Sequence, residues 1–328
     1  MIVIICQPEP ACRQTGVPKV AKLNLTIKLT FETPSFSFYL YHQILTMTKI
    51  FSFVICLLLG VSAIAQELNV MTFNIRLNTA SDSMNAWPYR KDMVASQVLF
   101  HEAHIVGVQE ALIDQMTDLQ QRLPKYRYKG VGRDDGERKG EYSALFYDTT
   151  RLAALESKTF WLSETPEWAG SKSWDAAITR IVTWIKFRDK KTKKIFYAFN
   201  THFDHIGKVA RRESAKLLLQ KIKEIAGSAP VVVTGDFNST PDDEPVQLIL
   251  DQSSPLRLVD SKGISLQPHY GPTGTFNGFK EKERDDQPID YIFLKGKWRV
   301  LKHATISQTW DGRFASDHFA VVARLQLN

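Results

Sequence analysis

Between Leu68 and Leu327 short apolar runs alternate with segments whose apolar residues recur every three or four positions. The first run, Leu68 to Ile75, predicts a buried strand that ends on Asn74 and Arg76. Trp87-Pro88 then opens a helical pattern with Met93, Val94, Val98 and Leu99 on one face, Pro being suited to a first helical turn. Ile105 to Val108 predicts a second strand running into Gln109-Glu110, and Ala111 to Leu123 a helix stopped by Pro124. Tyr142 to Tyr147 is a further strand. Arg180 to Phe187 and Ile195 to Asn200, joined by the polar turn Asp189 to Lys194, predict a hairpin. The lysines of that turn are expected to be a solvated tip without function. Gly207 to Ala226 has the spacing of a long amphipathic helix, with Gly227 beyond its end. Val231 to Val233 predicts a buried strand delivering Gly235-Asp236-Phe237-Asn238, and Ile289 to Leu294 and Phe319 to Leu327 the last strands. With no linker or internal repeat, residues 66–328 are expected to form one mixed α/β domain.

The beginning reads differently. From Met47, Lys49 precedes an apolar run from Ile50 to Val61, and Ala63-Ile64-Ala65 supplies a small-x-small cleavage pattern. These are the parts of a secretory signal peptide, so residues 47–65 are expected to be removed and the protein exported to a periplasm or the outside of the cell. The run is shorter than the roughly 20 apolar residues that span a bilayer, so no stable membrane span is expected after cleavage. Residues 1–46 lack a steady periodicity and would bury that signal, which predicts that they are a non-native extension upstream of a true start at Met47.

This division changes the meaning of the composition. Cys6, Cys12 and Cys56 all precede residue 66, leaving the body without a disulfide, a thiolate nucleophile or a cysteine metal site. The formal charge of +7 includes five basic (Arg13, Lys19, Lys22, Lys28, Lys49) and two acidic residues (Glu9, Glu32) before position 66; without them 37 basic face 33 acidic residues, a net of +4. Dedicated nucleic-acid domains are usually more basic and concentrate the charge.

Unusual polar residues fall beside the ends of the apolar strands: Asn74, Glu110, His202, Asp236, Asn238, Asp290, Asp317 and His318. Each alone has an ordinary explanation, such as an Asx-turn, a helix cap or a hydrogen-bonded core histidine. Together they supply hard oxygen ligands for Mg²⁺ or Mn²⁺, a carboxylate to activate water, and two imidazoles, the inventory of phosphoester hydrolysis. No Gly-x-Ser-x-Gly elbow, Walker loop, dinucleotide fingerprint or His-Glu-x-x-His occurs.

Six blocks in order, Thr72-Phe73-Asn74-Ile75-Arg76, Gln109-Glu110, Asn200-Thr201-His202-Phe203-Asp204-His205, Gly235-Asp236-Phe237-Asn238, Ile289-Asp290-Tyr291 and Ser316-Asp317-His318, give Leu68 to Leu327 a clear resemblance to the endonuclease/exonuclease/phosphatase superfamily of deoxyribonuclease I-like enzymes. The resemblance implies a four-layered α/β sandwich, two mixed sheets packed face to face and flanked by helices. It implies Glu110 as principal metal ligand, with Asn74 and Asp317 close to the metal. Asp236 would deprotonate the attacking water, with Asn238 fixing its position, and His202 and His318 would donate hydrogen bonds to the phosphoryl group. Asp290 would pair with His318, and Glu141, opening an aromatic-rich strand, with His202. Arg76 matches the deoxyribonuclease I pattern where abasic-site endonucleases carry an Asp ligand, which argues against that branch and against a second metal.

Arg76, Arg180 and His205 are the candidates for substrate contact. Arg211 and Arg212 are expected on a solvated helix face, and Trp87, Tyr89 and Trp174 in packing rather than in a pocket. The expected activity is that of an exported phosphodiesterase or phosphatase, with nuclease action an alternative within the same chemistry. A phosphorylated small molecule, sugar or lipid headgroup is favoured over nucleic acid by the weak charge, and no protein partner is implied. The rival from another class is a catalytically silent binding or adhesion protein on the same fold.

Overall fold

A computed structural model of the chain describes residues 38–48, 67–280 and 286–328. Residue contacts divide the chain into Met1–Ile64 and Ala65–Asn328. In the first unit, residues 38–48 are helical and almost wholly exposed. A helix that buries no face imposes no periodicity, which is why the sequence pattern does not announce it. Residues 49–65 of the expected export signal lie outside the described residues. Among the described residues no helix is long and apolar enough to cross a membrane.

The second unit holds two six-stranded sheets. The first contains β1 (Glu67–Asn74), β2 (Ile105–Ala111), β3 (Tyr126–Lys129), β4 (Tyr142–Asp148), β11 (Trp298–Ile306) and β14 (Ala320–Leu327), in the order β11-β14-β1-β2-β4-β3. The second contains β5 (Leu152–Trp161), β6 (Ile181–Asp189), β7 (Ile195–His202), β8 (Val231–Asp236), β9 (Val259–Asp260) and β10 (Asp290–Lys295), in the order β5-β6-β7-β8-β10-β9. A two-stranded ribbon, β12 (Thr309–Trp310) and β13 (Arg313–Phe314), stands apart.

Leu68, Val70, Ile105 and Leu145 of the first sheet pack against Ile185, Phe187, Ala198, Val232 and Ile292 of the second. Against the outer face of the first sheet lie α1 (Lys91–Phe100) and α2 (Ile113–Arg122); against the second lie α3 (Lys208–Ala226) and α4 (Glu244–Leu250). The four-layered α/β sandwich is therefore present. Strands buried on both faces need no polar alternation, and Val231, Val232 and Val233 are all fully buried.

Four polar side chains sit between the sheets. Gln109 Nε2 donates to Thr72 Oγ1 (3.1 Å) and to Asn200 Oδ1 (2.7 Å), and Thr234 Oγ1 donates to the same oxygen (2.9 Å). Asn200 Nδ2 crosses to the carbonyls of Val108 and Ala144 at 2.8 and 2.9 Å. Gly107 is required beside this network, because a Cβ there would lie 2.1 Å from Thr234 Oγ1 and 2.4 Å from Asn200 Oδ1.

Candidate active site

Strand direction gathers the predicted residues. β1 and β2 run parallel, as do β7 and β8, so Asn74, Glu110, His202 and Asp236 all lie at or beside carboxyl ends. β10 is antiparallel to β8, with Asp290 opposite Asp236, and β14 is antiparallel to β1, so Asp317 and His318 precede it at the same end. The chain turns sharply there: Arg76, Glu110 and Asn238 adopt left-handed φ of 58°, 62° and 45°. Such backbone costs of the order of 1 kcal/mol per residue and concentrates where geometry must be fixed. At Glu110 it coincides with a register shift between Val108 and Ala111 against β4, a bulge that re-aims the carboxylate.

Asn74 is the central linker. Its Nδ2 donates to Glu110 Oε1 at 3.0 Å and to Asp236 Oδ2 at 2.9 Å, with His318 Nε2 at 3.5 Å. Its Oδ1 accepts from the Arg76 amide (3.0 Å), and Ser316 Oγ donates to its carbonyl (2.7 Å), tying β1 to the loop of Asp317 and His318.

Asp290 Oδ2 lies 2.9 Å from His318 Nδ1, the expected pairing. Burial alone would lower the His318 pKa, but the facing Asp290 carboxylate, aided by Asp236 and Asp317, holds it well above its ordinary value. Burial next to Asp290 pushes Asp236 up to about 7. His202 is held well below its usual value by burial and by the charges of Arg180, His318 and Arg133. The two imidazoles are therefore in opposite states, His318 charged and His202 neutral. Asn238 Nδ2 lies 3.0 Å from His202 Nε2, and since the amide can only donate, that nitrogen accepts.

The expected pairing of Glu141 with His202 requires correction. Glu141 accepts from Arg133 Nη1 at 2.6 Å, whereas His202 Nδ1 is buried without a hydrogen-bond partner. A guanidinium offers a carboxylate a full charge, which a neutral imidazole does not. Burial raises the Glu141 pKa despite that ion pair.

Arg180, also buried, contacts exposed His205 through Nη2 and Nδ1 at 3.2 Å, and Asp204 Oδ2 lies 3.9 Å from its Nε. Asp204 accepts from the amides of Ala177, Ile178, Ile206 and Gly207, so one buried carboxylate fastens the two loops that present Arg180 and His205. Arg211 bonds the Asp204 carbonyl, and Arg212 pairs with Glu213 on the helix surface. Trp87 is buried and donates to Asp118, Tyr89 is half exposed, and Trp174 is partly buried.

Arg76 is committed to carboxylates. It forms a bidentate pair with Asp82 (3.0 and 3.1 Å), with Asp317 Oδ2 at 3.7 Å and Glu110 Oε2 at 3.8 Å. Buried Arg90 reinforces this positive side and donates from Nη1 to the carbonyls of Ile75 and Ala315.

The donor set of Glu110, Asn74 and Asp317 suits a hard divalent cation. Each Glu110 oxygen takes one hydrogen bond, from Asn74 or the Leu77 amide, and keeps lone pairs for a ligand. A different trio, Asp236, Asp290 and His318, brings its ligand atoms within 4.8 Å of one another. There, however, His318 Nδ1 sits on Asp290 Oδ2 and the Asn74 amide on Asp236 Oδ2, a hydrogen-bonded proton-holding cluster in which Asp290 Oδ1 is left buried without a partner.

Asn200, Gln109, Arg133, Asp82 and Asp204 also hold the site together, without standing out in the sequence as working residues. Gln109 and Asn200 carry a signal, amides inside apolar strands; Arg133 in a polar loop and Asp82 in the short polar 3-10 helix Ala80–Asn85 have nothing to set them apart.

Comparison with known proteins agrees with this geometry. A sequence model of the Endonuclease/Exonuclease/phosphatase family matches residues 71–318. The crystal structure of an endonuclease/exonuclease/phosphatase from Bacteroides vulgatus is 42% identical, covering 80% of this chain and 100% of its own, with a TM-score of 0.76. A mannosyl-6-phosphatase of Bacteroides thetaiotaomicron is 38% identical over 79% of this chain and 99% of its own, with a TM-score of 0.75. Protein angel of Drosophila melanogaster is 24% identical over 273 residues, 73% of this chain and 72% of its own. The chain belongs to the Endonuclease/Exonuclease/phosphatase family of phosphoester hydrolases.

Proposed function

We propose that this chain is an exported phosphomonoesterase acting on phosphorylated sugars, with Mg²⁺ or Mn²⁺ held by Glu110, Asn74 and Asp317. The observation that carries the reading is the convergence of His318, paired with Asp290, and His202 on Asp236, which Asn74 joins to Glu110. The sugar phosphate is supported by 38% identity to a mannosyl-6-phosphatase over nearly all of that chain. Export is supported by the signal-like segment ending at Ala65.

When bound, the cation supplies charge neutralisation at a phosphoryl oxygen. Asp236, ionised above about pH 7, takes a proton from the attacking water, and Asn238, whose own amide N–H donates to Asp236 Oδ1 at 2.9 Å, holds its orientation. Cationic His318 donates from Nε2 toward the charge that grows on the phosphoryl group, while Asp290 keeps the proton on the opposite nitrogen. Neutral His202, whose Nε2 accepts from Asn238 Nδ2 at 3.0 Å, fixes that amide beside Asp236, and as the P–O bond to the sugar breaks the leaving oxygen takes its proton from His318. Exposed His205, backed by Arg180, is placed to meet the sugar or its phosphate.

The test is turnover of mannose 6-phosphate, p-nitrophenyl phosphate and bis-p-nitrophenyl phosphate by the purified chain with Mg²⁺ or Mn²⁺. The expected result is monoester hydrolysis at least tenfold faster than diester hydrolysis. Preference for the diester overturns the monoesterase reading, and absence of turnover on all three favours the silent binding protein.

A further inference from the structure

A second cleft of about 520 Å³ opens on the outer face of the first sheet, its lining running from Asn69, remote from the strand ends that carry the chemistry, to Ile306, which pairs with Ala320. Asn69 on its floor is five residues before Asn74 along β1, a separation of roughly 16 Å at the usual rise of a strand. One wall is the end of α1 and the other is the segment alongside β11 that ends at Tyr270. Each wall carries a strongly exposed aromatic ring, Phe100 at 79% and Tyr270 at 75% relative exposure. Phe100 is braced edge-on by His101 at 5.2 Å. Rings left in water on facing walls of a concave surface point to a ligand with an apolar face.

The polar groups between them define the rest of that ligand. His269 Nε2 contacts the Pro272 carbonyl at 3.0 Å, and a carbonyl only accepts, so that nitrogen carries the proton. His269 Nδ1 is then an acceptor, and the contact of 2.9 Å between the two Nδ1 atoms places a proton on His303 Nδ1. Buried His303, on the cleft wall, is thereby fixed in the tautomer whose Nε2 accepts. Asn69 spends its Nδ2 on the carbonyls of His101 and Glu102, which leaves its Oδ1 as a second acceptor. Lys302 and Glu102 balance each other in charge, and Arg324 is paired with Glu67 at 3.2 Å. Oriented acceptors, charge balance and aromatic walls fit hydroxyl groups on a ring with apolar faces, and they do not fit a polyanion.

We propose that this cleft is a binding site for a neutral saccharide, separate from the catalytic centre. The site goes beyond the phosphatase reading, and only the choice of a mannose-based probe rests on it. It is tested by isothermal titration of mannotetraose, and of gluco- and galacto-tetrasaccharides, into the full chain with the catalytic site saturated by inorganic phosphate. The expected result is saturable binding of at least one of them, weakened at least tenfold in Phe100→Ser and Tyr270→Ser, while both variants keep parental turnover of p-nitrophenyl phosphate. Both rings are exposed, so these variants are expected to fold, and circular dichroism verifies it. No saturable binding, binding unchanged in both variants, or binding abolished by phosphate overturns the proposal. A chain that binds the saccharide but hydrolyses no phosphoester overturns the phosphatase reading alone.

Discussion

His318 and Asp290 are joined by a contact of 2.9 Å between Nδ1 and Oδ2, and both side chains are buried. The pair explains how an imidazole with almost no access to water keeps a positive charge, since the carboxylate offsets the desolvation that would discharge it. His318 has a folded pKa above its unfolded value, so its contribution to stability is fully present below about pH 6.5 and is lost as pH rises through the folded pKa. Asp290→Asn removes the counter-charge. Turnover in that variant is expected to fall on the order of 100-fold and its alkaline limb to move to lower pH, measured as kcat against pH. An unmoved alkaline limb contradicts the assignment.

Asp236 governs the acidic limb. With its pKa near 7, kcat/KM is expected to rise with pH to a plateau above about 7. The same shift has the opposite consequence for stability: the folded pKa lies above the unfolded 3.8, so the residue weakens the fold progressively as pH rises from about 4 to about 7. Asp236→Asn is expected to abolish turnover and to raise stability at pH 8 by on the order of 2 kcal/mol, read by urea denaturation.

Asp82 holds Arg76 by two hydrogen bonds, while Glu110 and Asp317 stand slightly beyond hydrogen-bond distance of the same guanidinium. Without Asp82, Arg76 is free to close on the carboxylates expected to hold the metal. Asp82→Asn is therefore expected to weaken Mn²⁺ binding about tenfold in calorimetric titration, a loss of roughly 1.4 kcal/mol. Unchanged affinity contradicts this role.

Asn200, held by Thr234 of its own sheet, joins the two sheets two residues before His202 through Gln109 and two carbonyls of the opposite sheet. Asn200→Ala strands several buried polar groups at once, with an expected cost of about 3 kcal/mol in urea denaturation. A loss below 1 kcal/mol means that the network is not a structural tie.

The sequence reveals strongly buried elements and hides half-exposed ones. Val231 to Val233 and Leu68 to Ile75 are apolar because both faces are covered, and they are found where the pattern predicts. The helix expected to begin at Trp87-Pro88 instead has a 3-10 turn at Trp87–Tyr89 followed by α1, because the Arg90 guanidinium turns inward to the carbonyls of Ile75 and Ala315. Edge strand β5 presents Glu156 and Lys158 to solvent, and β3, β9 and β11 also lie at or near sheet edges, where polar residues are tolerated and alternation fades. The residues expected at the site do meet, because strand direction brings their strand ends together. The choice of Glu141 between Arg133 and His202 depends on a loop contact that no local pattern records.

The most direct test is the initial rate of phosphate release from mannose 6-phosphate by the full chain with Mg²⁺ or Mn²⁺, with excess chelator, and in Glu110→Gln. Steady release with a metal, loss of at least 100-fold in chelator, and a comparable loss in folded Glu110→Gln are expected. Release that is indifferent to chelator and to Glu110 contradicts metal-dependent hydrolysis at this site.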